Sequence, residues 1–405
     1  MATCETCEPS LERAPSDRAF VLLAATITGV VASNLFAPQI LVGPISSSLG
    51  MTAQQAGMIS SLTFLGYAVG LFLLVPLVDI LENKRLILFT LATISLAAFM
   101  TAAAPTPELL LPAVFILGVS CAAIQMLVPL VASMAPSTER GQVIGEVMTG
   151  VMVGILLSRP LASLIAHAWS WRSFYGASGL VTGLLTAALI RRLPRLRPTA
   201  QVGYLHLILS FWILLRDERV LRVRSWTSAL ATASFSAFWA VAALRLSMAP
   251  FDLSAGGIAI FALVGVAGAA VTRPAGRLSD KGWGKQILVG SHIVVILSLG
   301  LCAMAHFAQI HIVALVMMGV GAVALDAGVT GDNIVGRRAV NLLRADARGR
   351  MNGLFVGLFF VGHAVGASAA AVAWSLAGWP AVCVVAALFS IAALVTDGFT
   401  MAGAE

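Results

Sequence analysis

Apolar stretches of roughly 20 residues recur along the whole of this 405-residue chain. At 1.5 Å of rise per helical residue, each is long enough to cross about 30 Å of hydrocarbon. Within hydrocarbon a segment must satisfy its own backbone hydrogen bonds, and a helix is the form that does so. Twelve such runs fall at residues 19–42, 54–78, 85–104, 109–134, 142–166, 172–190, 225–248, 255–275, 286–304, 309–331, 352–375 and 380–398. The pattern predicts an all-α integral membrane protein. Composition agrees, because only 11% of residues are charged, against about 25% in soluble domains. The first run is of full spanning length and follows a tail with acidic residues and no short basic region, so it is expected to be a retained span and not a cleaved signal.

Orientation follows from the basic residues. With residues 1–18 as a cytoplasmic tail, the inside segments collect 22 of the 25 Lys and Arg, the bias that sets topology, and both termini are then predicted to be cytoplasmic. The net charge of +7 belongs to these loops and does not indicate nucleic-acid binding. Cys121, Cys302 and Cys383 sit in apolar spans as small hydrophobes. Cys4 and Cys7 form a lone CxxC in the polar tail, which a reducing cytosol would keep as thiols.

The chain also repeats itself. Arg140-Gly141 with Gly145 recurs 208 residues later as Arg348-Gly349 with Gly353, and Trp171 recurs as Trp379. Pro76-Leu77-Val78-Asp79, followed by Lys84 and Arg85, is echoed by Gly276-Arg277-Leu278-Ser279-Asp280, followed by Lys281 and Lys285. Two copies of one apolar unit are a known architecture of secondary transporters. The copies are residues 19–190 and 225–398, joined by 191–224, with 399–405 as a C-terminal tail. The linker holds an apolar stretch, Tyr204 to Leu215, that is too short to span and is bounded by arginines. Two placements suit it: a helix lying on the inner membrane surface, or one packed against the ends of the bundles.

These residues resemble the major facilitator superfamily, whose loop motif is Gly-x-Leu-x-Asp followed by a basic residue. The second copy matches it closely; the first keeps Leu77, Asp79, Lys84 and Arg85 but has Val75 and Glu82 where glycines are usual. Asn34 to Gln39, Val128 to Arg159, Trp171-Arg172 and Leu325 to Gly328 further resemble a bacterial branch of drug or sugar efflux permeases. The resemblance implies two pseudo-symmetric six-helix bundles rocking about a central site, in the bacterial inner membrane and as a monomer. By that packing Asp79 faces the start of the eleventh span at Met351-Asn352, and Asp280 the start of the fifth near Gly141. Arg140 and Arg348 are their expected partners, and Lys84, Arg85 and Arg277 complete a cytoplasmic gate. An aspartate there can accept from the free N–H groups of a helix start. The alternative is a set of charged loops that only set topology.

An ionisable group within hydrocarbon costs about 2.5–3.5 kcal/mol or more to insert, so each is a functional candidate. Four stand out: Arg159, Arg245, Asp326 and His363. Asp326 is on the tenth span, which by the resemblance lines the cavity with the first, fourth and seventh. Counted from the span ends it lies about 24 Å from the outer face, and Arg159 about 24 Å from the inner face. That separates them by about 15 Å along the membrane normal, too far to pair. Asp326 suits proton or substrate coupling, or is held by neighbouring polar groups for structure alone. Arg159 needs another partner: a substrate anion, carbonyls near Pro160, or the outer interface. The family's glycine-proline motif is replaced here by Leu157-Ser158-Arg159-Pro160, and the usual arginine upstream of Gly118 is missing. His363, near the midplane, suits proton exchange or packing. Arg245, near the outer end of the seventh span, is expected to snorkel.

The remaining cavity candidates are Asn34 and Gln39 on the first span, Gln125 on the fourth, and Phe235, Phe238 and Trp239 on one face of the seventh. A few polar groups among aromatics suit an amphipathic organic ligand; the same stripe also suits packing or a lipid-facing surface. No Walker A, HExxH or GxSxG sequence occurs, and no cofactor or metal is expected. The expected function is alternating-access transport, most simply proton-coupled efflux of a small amphipathic or anionic compound, with uptake of a sugar or organic acid as the alternative. An enzyme or channel is disfavoured.

Overall fold

The structure, a computed structural model, describes residues 18–136, 139–195, 203–344 and 347–402. Cys4 and Cys7 lie outside them. In the first half the helices are α1 (Arg18–Phe36), α2 (Pro38–Leu49), α3 (Ala53–Leu73), α4 (Asn83–Ala103), α5 (Pro107–Ser120), α6 (Ala123–Met134), α7 (Arg140–Ala168) and α8 (Trp171–Ile190). A linker helix, α9 (Tyr204–Asp217), leads to α10 (Arg219–Leu246), α11 (Ala255–Val264), α12 (Thr272–Asp280), α13 (Gly284–Met304), α14 (His311–Asn341) and α15 (Arg348–Ala402).

Local chemistry sets most breaks. Pro38 has no N–H to give, and the first span divides there into α1 and α2. Gly50 then closes α2 in the left-handed conformation, with φ of 62°, and Thr52 and Gln55 form a capping box that opens α3. The connections α3–α4, α6–α7, α9, α12–α13 and α14–α15 share one end of the molecule, the end with the basic loops.

Among the described residues, ten helical segments are long and apolar enough to cross a membrane. Two places account for the difference from the twelve runs in the sequence. Residues 255–280 are divided, because Gly265–Val271 forms a 3-10 segment between α11 and α12 and neither piece spans alone. Residues 348–402 run as one element whose helical path is broken only at Ala377 and Gly378, the glycine at φ 64°. A straight 55-residue helix would be about 80 Å long. The break, next to Pro380, falls between the eleventh and twelfth apolar runs.

Glycine permits backbone contact between the same pair of helices in each half. A Cβ on Gly150 would stand 2.2 Å from the Ala25 carbonyl oxygen, which joins α7 to α1; on Gly362 it would stand 2.0 Å from the Ala229 oxygen, which joins α15 to α10. These contacts lie within each half, whereas Gly357 of α15 meets the Phe72 ring of α3 across the halves. Between the halves α3 lies along α15, where Ser61 donates to the Ala364 carbonyl at 2.7 Å.

The linker helix has two apolar faces. Leu207 and Leu214 are buried, Tyr204 donates to the Leu73 carbonyl at 2.9 Å and Phe211 meets Phe72, so one face grips the end of α3. Leu205 and Trp212 on the other face are about 70% exposed. Gly362→Ala is expected to cost about 1–3 kcal/mol by forcing α15 off α10. Gly353→Ala, with no atom within 4 Å of its Cβ, should leave the melting temperature unchanged. Equal shifts in detergent would refute the packing account.

Candidate functional site

A layer of rings crosses the middle of the molecule. Phe36 of α1, Phe64 and Tyr67 of α3, Phe235 of α10 and Phe359 and Phe360 of α15 gather around His363, whose ring centroid is 4.7 Å from Phe64 and 5.1 Å from Phe360. His363 is 2% exposed, so it packs in an aromatic cage and does not face either cavity. One cavity, about 570 Å³, lies on the side away from the basic loops and is walled by Gln39, Ser60, Ser163, His167, Leu244 and Trp374. The other, about 490 Å³, lies on the basic-loop side and is walled by Asp79, Asn83, Gln125, Phe211, Arg350 and Asn352. On α3 and α15 the ring layer falls between the two sets of wall residues.

Beside this layer sits a charged constellation. Arg159 of α7 donates from Nε and Nη2 to the Gln39 Oε1, at 3.2 and 2.9 Å. Its guanidinium lies 4.3 Å from the Trp239 ring centroid and 5.6 Å from that of Phe235, both on α10 in the other half. The Trp239 indole N–H donates to the Asp326 Oδ1 at 2.9 Å. Arg159 and Asp326 therefore address one indole, and each is in the other's electrostatic field. The 15 Å separation counted from span ends is corrected. The apolar run of the tenth span ends at residue 331, but α14 continues to Asn341, so Asp326 is the middle residue of its helix and not in its inner half. Within the protein Arg159 turns neither to the carbonyls near Pro160 nor to the outer interface; a desolvated cation over an indole gains about 2 kcal/mol, and Gln39 supplies the hydrogen bonds. Asp326 fits because α14 meets glycines: a Cβ on Gly265 would lie 2.7 Å from its Oδ2, and one on Gly268 2.6 Å from its Cβ.

Several sequence candidates lie elsewhere. Asn34 accepts from the Ser178 hydroxyl at 3.0 Å and donates to the Val30 carbonyl, tying α1 to α8 inside the first half, so it does not line a cavity. Phe238 packs between Trp239 and Trp379 within the second half, a core position. Gln125 lines the basic-side cavity and reaches the Tyr67 hydroxyl at 3.4 Å. Arg245 does not snorkel: it is 5% exposed, donates to the Ala249 carbonyl at 2.7 Å and stands over Phe251, holding the loop after α10.

Residues 21–336 match the sequence profile of the Major Facilitator Superfamily. The chain belongs to the major facilitator superfamily. Relatives that span nearly all of it include a putative uncharacterized transporter, YgaY, of Escherichia coli, 32% identical over 385 residues and 95% of each chain. A probable transporter of Streptomyces coelicolor is 27% identical, covering 94% of this chain and 89% of its own. A probable sugar efflux transporter of Helicobacter pylori is 24% identical over 82% of each. Solved structures with the same fold include a bacterial homologue of the human lysosomal transporter Spinster, TM-score 0.72 at 15% identity, covering 95% of this chain and 97% of that one. The nucleoside transporter NupG has a TM-score of 0.75 at 15% identity, covering 93% and 98%. This is a multi-pass membrane transporter of a small-molecule substrate, and not an enzyme.

The superfamily's loop motifs are arranged unequally in the two halves. Asp79 lines the basic-side cavity together with the start of α15, where Arg350 is its cationic neighbour. The side chain of Arg348 lies outside the described residues. Asp280 departs from expectation: it pairs with Arg338 of α14 at 2.9 Å, inside its own half, and Arg338 also binds Ser279. Arg140 instead donates to the Ala135 carbonyl at 3.4 Å, so no Asp280–Arg140 contact forms. Lys84 donates to the Leu193 carbonyl at 2.9 Å, Arg85 pairs with Glu82 at 3.3 Å, and Arg277 is exposed.

Sequence reading missed a second charged cluster altogether. Arg224, His292, Asp332 and Asp397 come together inside the second half near its basic-loop end, each less than 10% exposed. Arg224 falls at the end of the linker, and Asp332 lies one residue beyond the tenth apolar run. Asp397, the penultimate residue of the twelfth run, and His292 within the ninth are the signs the sequence offers of buried charge.

Trp239→Phe keeps the ring face for Arg159 but removes the donor to Asp326. Combined with Asp326→Asn in a double-mutant cycle of melting free energies, it should show an interaction of about 0.5–3 kcal/mol. Additivity within error would break the proposed link through the indole.

Proposed function

We propose that this chain is a proton-linked secondary transporter of the bacterial inner membrane. In this reading twelve spans form two six-helix bundles, the basic loops and both termini face the cytoplasm, and one chain is the working unit. The exported solute is a small amphipathic or anionic organic compound. One observation carries the proposal: Arg159, from one half, and Asp326, from the other, meet on the indole of Trp239, with Gln39 linking Arg159 to the cavity wall.

The mechanism follows from charge. An ionised Asp326 offers an acceptor that hydrogen-bonding groups of a solute can use together with Gln39, and it attracts Arg159. Protonation cancels that charge and removes the strongest acceptor, so proton and solute bind in turn, as antiport requires. Because Trp239 and Asp326 move with one half and Arg159 and Gln39 with the other, separating the halves exposes this site to one side only. Family relatives named as sugar efflux transporters support a hydroxyl-bearing solute and the outward direction.

A second reading, uptake of an organic acid together with a proton, is favoured by the guanidinium itself. Once Asp326 is neutral, Arg159 is free to hold an anion, and solute and proton then travel together. Liposomes holding the purified protein separate these by sign. Antiport predicts that radiolabelled sugars or organic acids trapped inside leave faster when the outside is acid, and that Asp326→Asn abolishes the gradient response while keeping solute exchange. Co-transport predicts movement of the solute down the proton gradient, into the vesicle. Flux indifferent to the gradient in wild type and unchanged in Asp326→Asn would defeat both.

A further inference from the structure

The cluster of Arg224, His292, Asp332 and Asp397 takes no part in the central site, yet it sets one of the harder electrostatic problems in the molecule. Asp397 and His292 are 0% exposed, Asp332 1% and Arg224 7%. Arg224 binds Asp397 through both terminal guanidinium nitrogens, one to each carboxylate oxygen. The His292 Nε2 lies 3.2 Å from the Asp397 Oδ2 and 3.7 Å from the Asp332 Oδ1. These contacts draw on four helices, α10, α13, α14 and α15.

The charges do not balance as drawn. Two carboxylates against one guanidinium leave a single negative charge when His292 is neutral, and an uncompensated charge in so dry a place is strongly disfavoured. One positive charge restores neutrality. The buried His292 Nδ1 is also without a hydrogen-bond partner. Asp332 is faced by His292 from α13, by Arg224 and Ser228 from α10, and by Asp397 from α15. Arg224 is engaged by both oxygens of Asp397, so Asp332 is the carboxylate without a guanidinium bound to it.

We infer that this cluster is a proton-binding site, separate from the central one, whose proton is shared between His292 and Asp332. The proton neutralises the cluster from either position, and neither position satisfies every polar atom. On His292 it leaves an Nδ1–H with no acceptor, and on Asp332 it leaves the neutral ring's Nδ1 an acceptor with no donor. A proton so placed is bound but not locked. A larger cation suits the site less well, because Arg224 already occupies both oxygens of Asp397. Asp332 is six residues beyond Asp326 on α14, about 9 Å along the axis toward the basic loops. Trp239 and Arg224 are likewise on one helix, α10. The two helices that build the C-terminal side of the central constellation thus also carry the cluster, and rocking of that half moves both. The site's existence does not depend on proton coupling at Asp326; only its role in transport rests on that reading.

Magic-angle-spinning NMR of the full chain in lipid, labelled with 15N-histidine and 13C-aspartate, tests this with the proton itself as the probe. Among the described residues, the histidine ion-paired to aspartate is His292, so a histidine–aspartate correlation assigns it in wild type without any variant. Lowering the pH should change the His292 nitrogens from neutral to charged, or the Asp332 carboxyl carbon from ionised to protonated. Asp332→Asn, which makes the cluster neutral with a neutral histidine, should abolish the His292 response. Should that variant fail to fold, the wild-type titration still decides. Signals from both residues that stay fixed over the whole range in which the protein is folded would overturn the inference. So would a response to exchanging KCl for NaCl at constant pH, which would assign the place to a metal cation. Asp326→Asn that loses gradient-driven transport beside an invariant cluster would leave the proposed function standing and remove this one.

Discussion

Hydrocarbon does not tolerate an unmatched charge, and the tertiary organisation of this transporter can be read as the set of answers to that one constraint. Arg159 is answered by a glutamine oxygen and an indole face, Asp326 by the edge of the same indole, and Asp397 by a two-pronged arginine. Each answer comes from a helix other than the one that carries the charge, and so fixes which helices are neighbours. The apolar side chains, by contrast, have little preference between lipid and protein. Close approach of the helices is left to glycine, as where α7 meets α1 and α15 meets α10.

The scaffold is duplicated but its contents are not. Arg159 corresponds in the repeat to Ala367, and His363 to Ile155. The loop motifs themselves differ in use, since Asp79 faces Arg350 across the halves and Asp280 turns inward to Arg338. Arg159, unmatched in the repeat, meets Asp326 on one indole where the arms meet.

Much of the fold was legible because its periodic features are local. Span length, the repeated Arg-Gly and the break between the eleventh and twelfth runs are set by neighbours in sequence, whereas the break at Pro38 falls inside a run that reads as one span. The partnership of Arg159 with Trp239 was not legible, because depth counted along a straight span depends on where the helix ends, and polar residues such as Asp332 and Arg337 hide that end from an apolar window. Four helices converge on His292, and no spacing along the chain announces such a meeting. Asn34 and Phe238 misled for a related reason: a polar or aromatic residue on a cavity-lining helix faces the cavity from only one side, and these two face their own bundle.

The ring layer around His363 has an electrical consequence. Two cavities of several hundred cubic ångströms, opening toward opposite ends of the molecule, approach each other across Phe36, Phe64, Phe235 and Phe360. Water excluded from such a stack cannot form the continuous hydrogen-bonded file along which protons hop. The aromatic side chains therefore act as insulation, and a cell that stores energy as a membrane potential can keep this protein in its membrane without short-circuiting it.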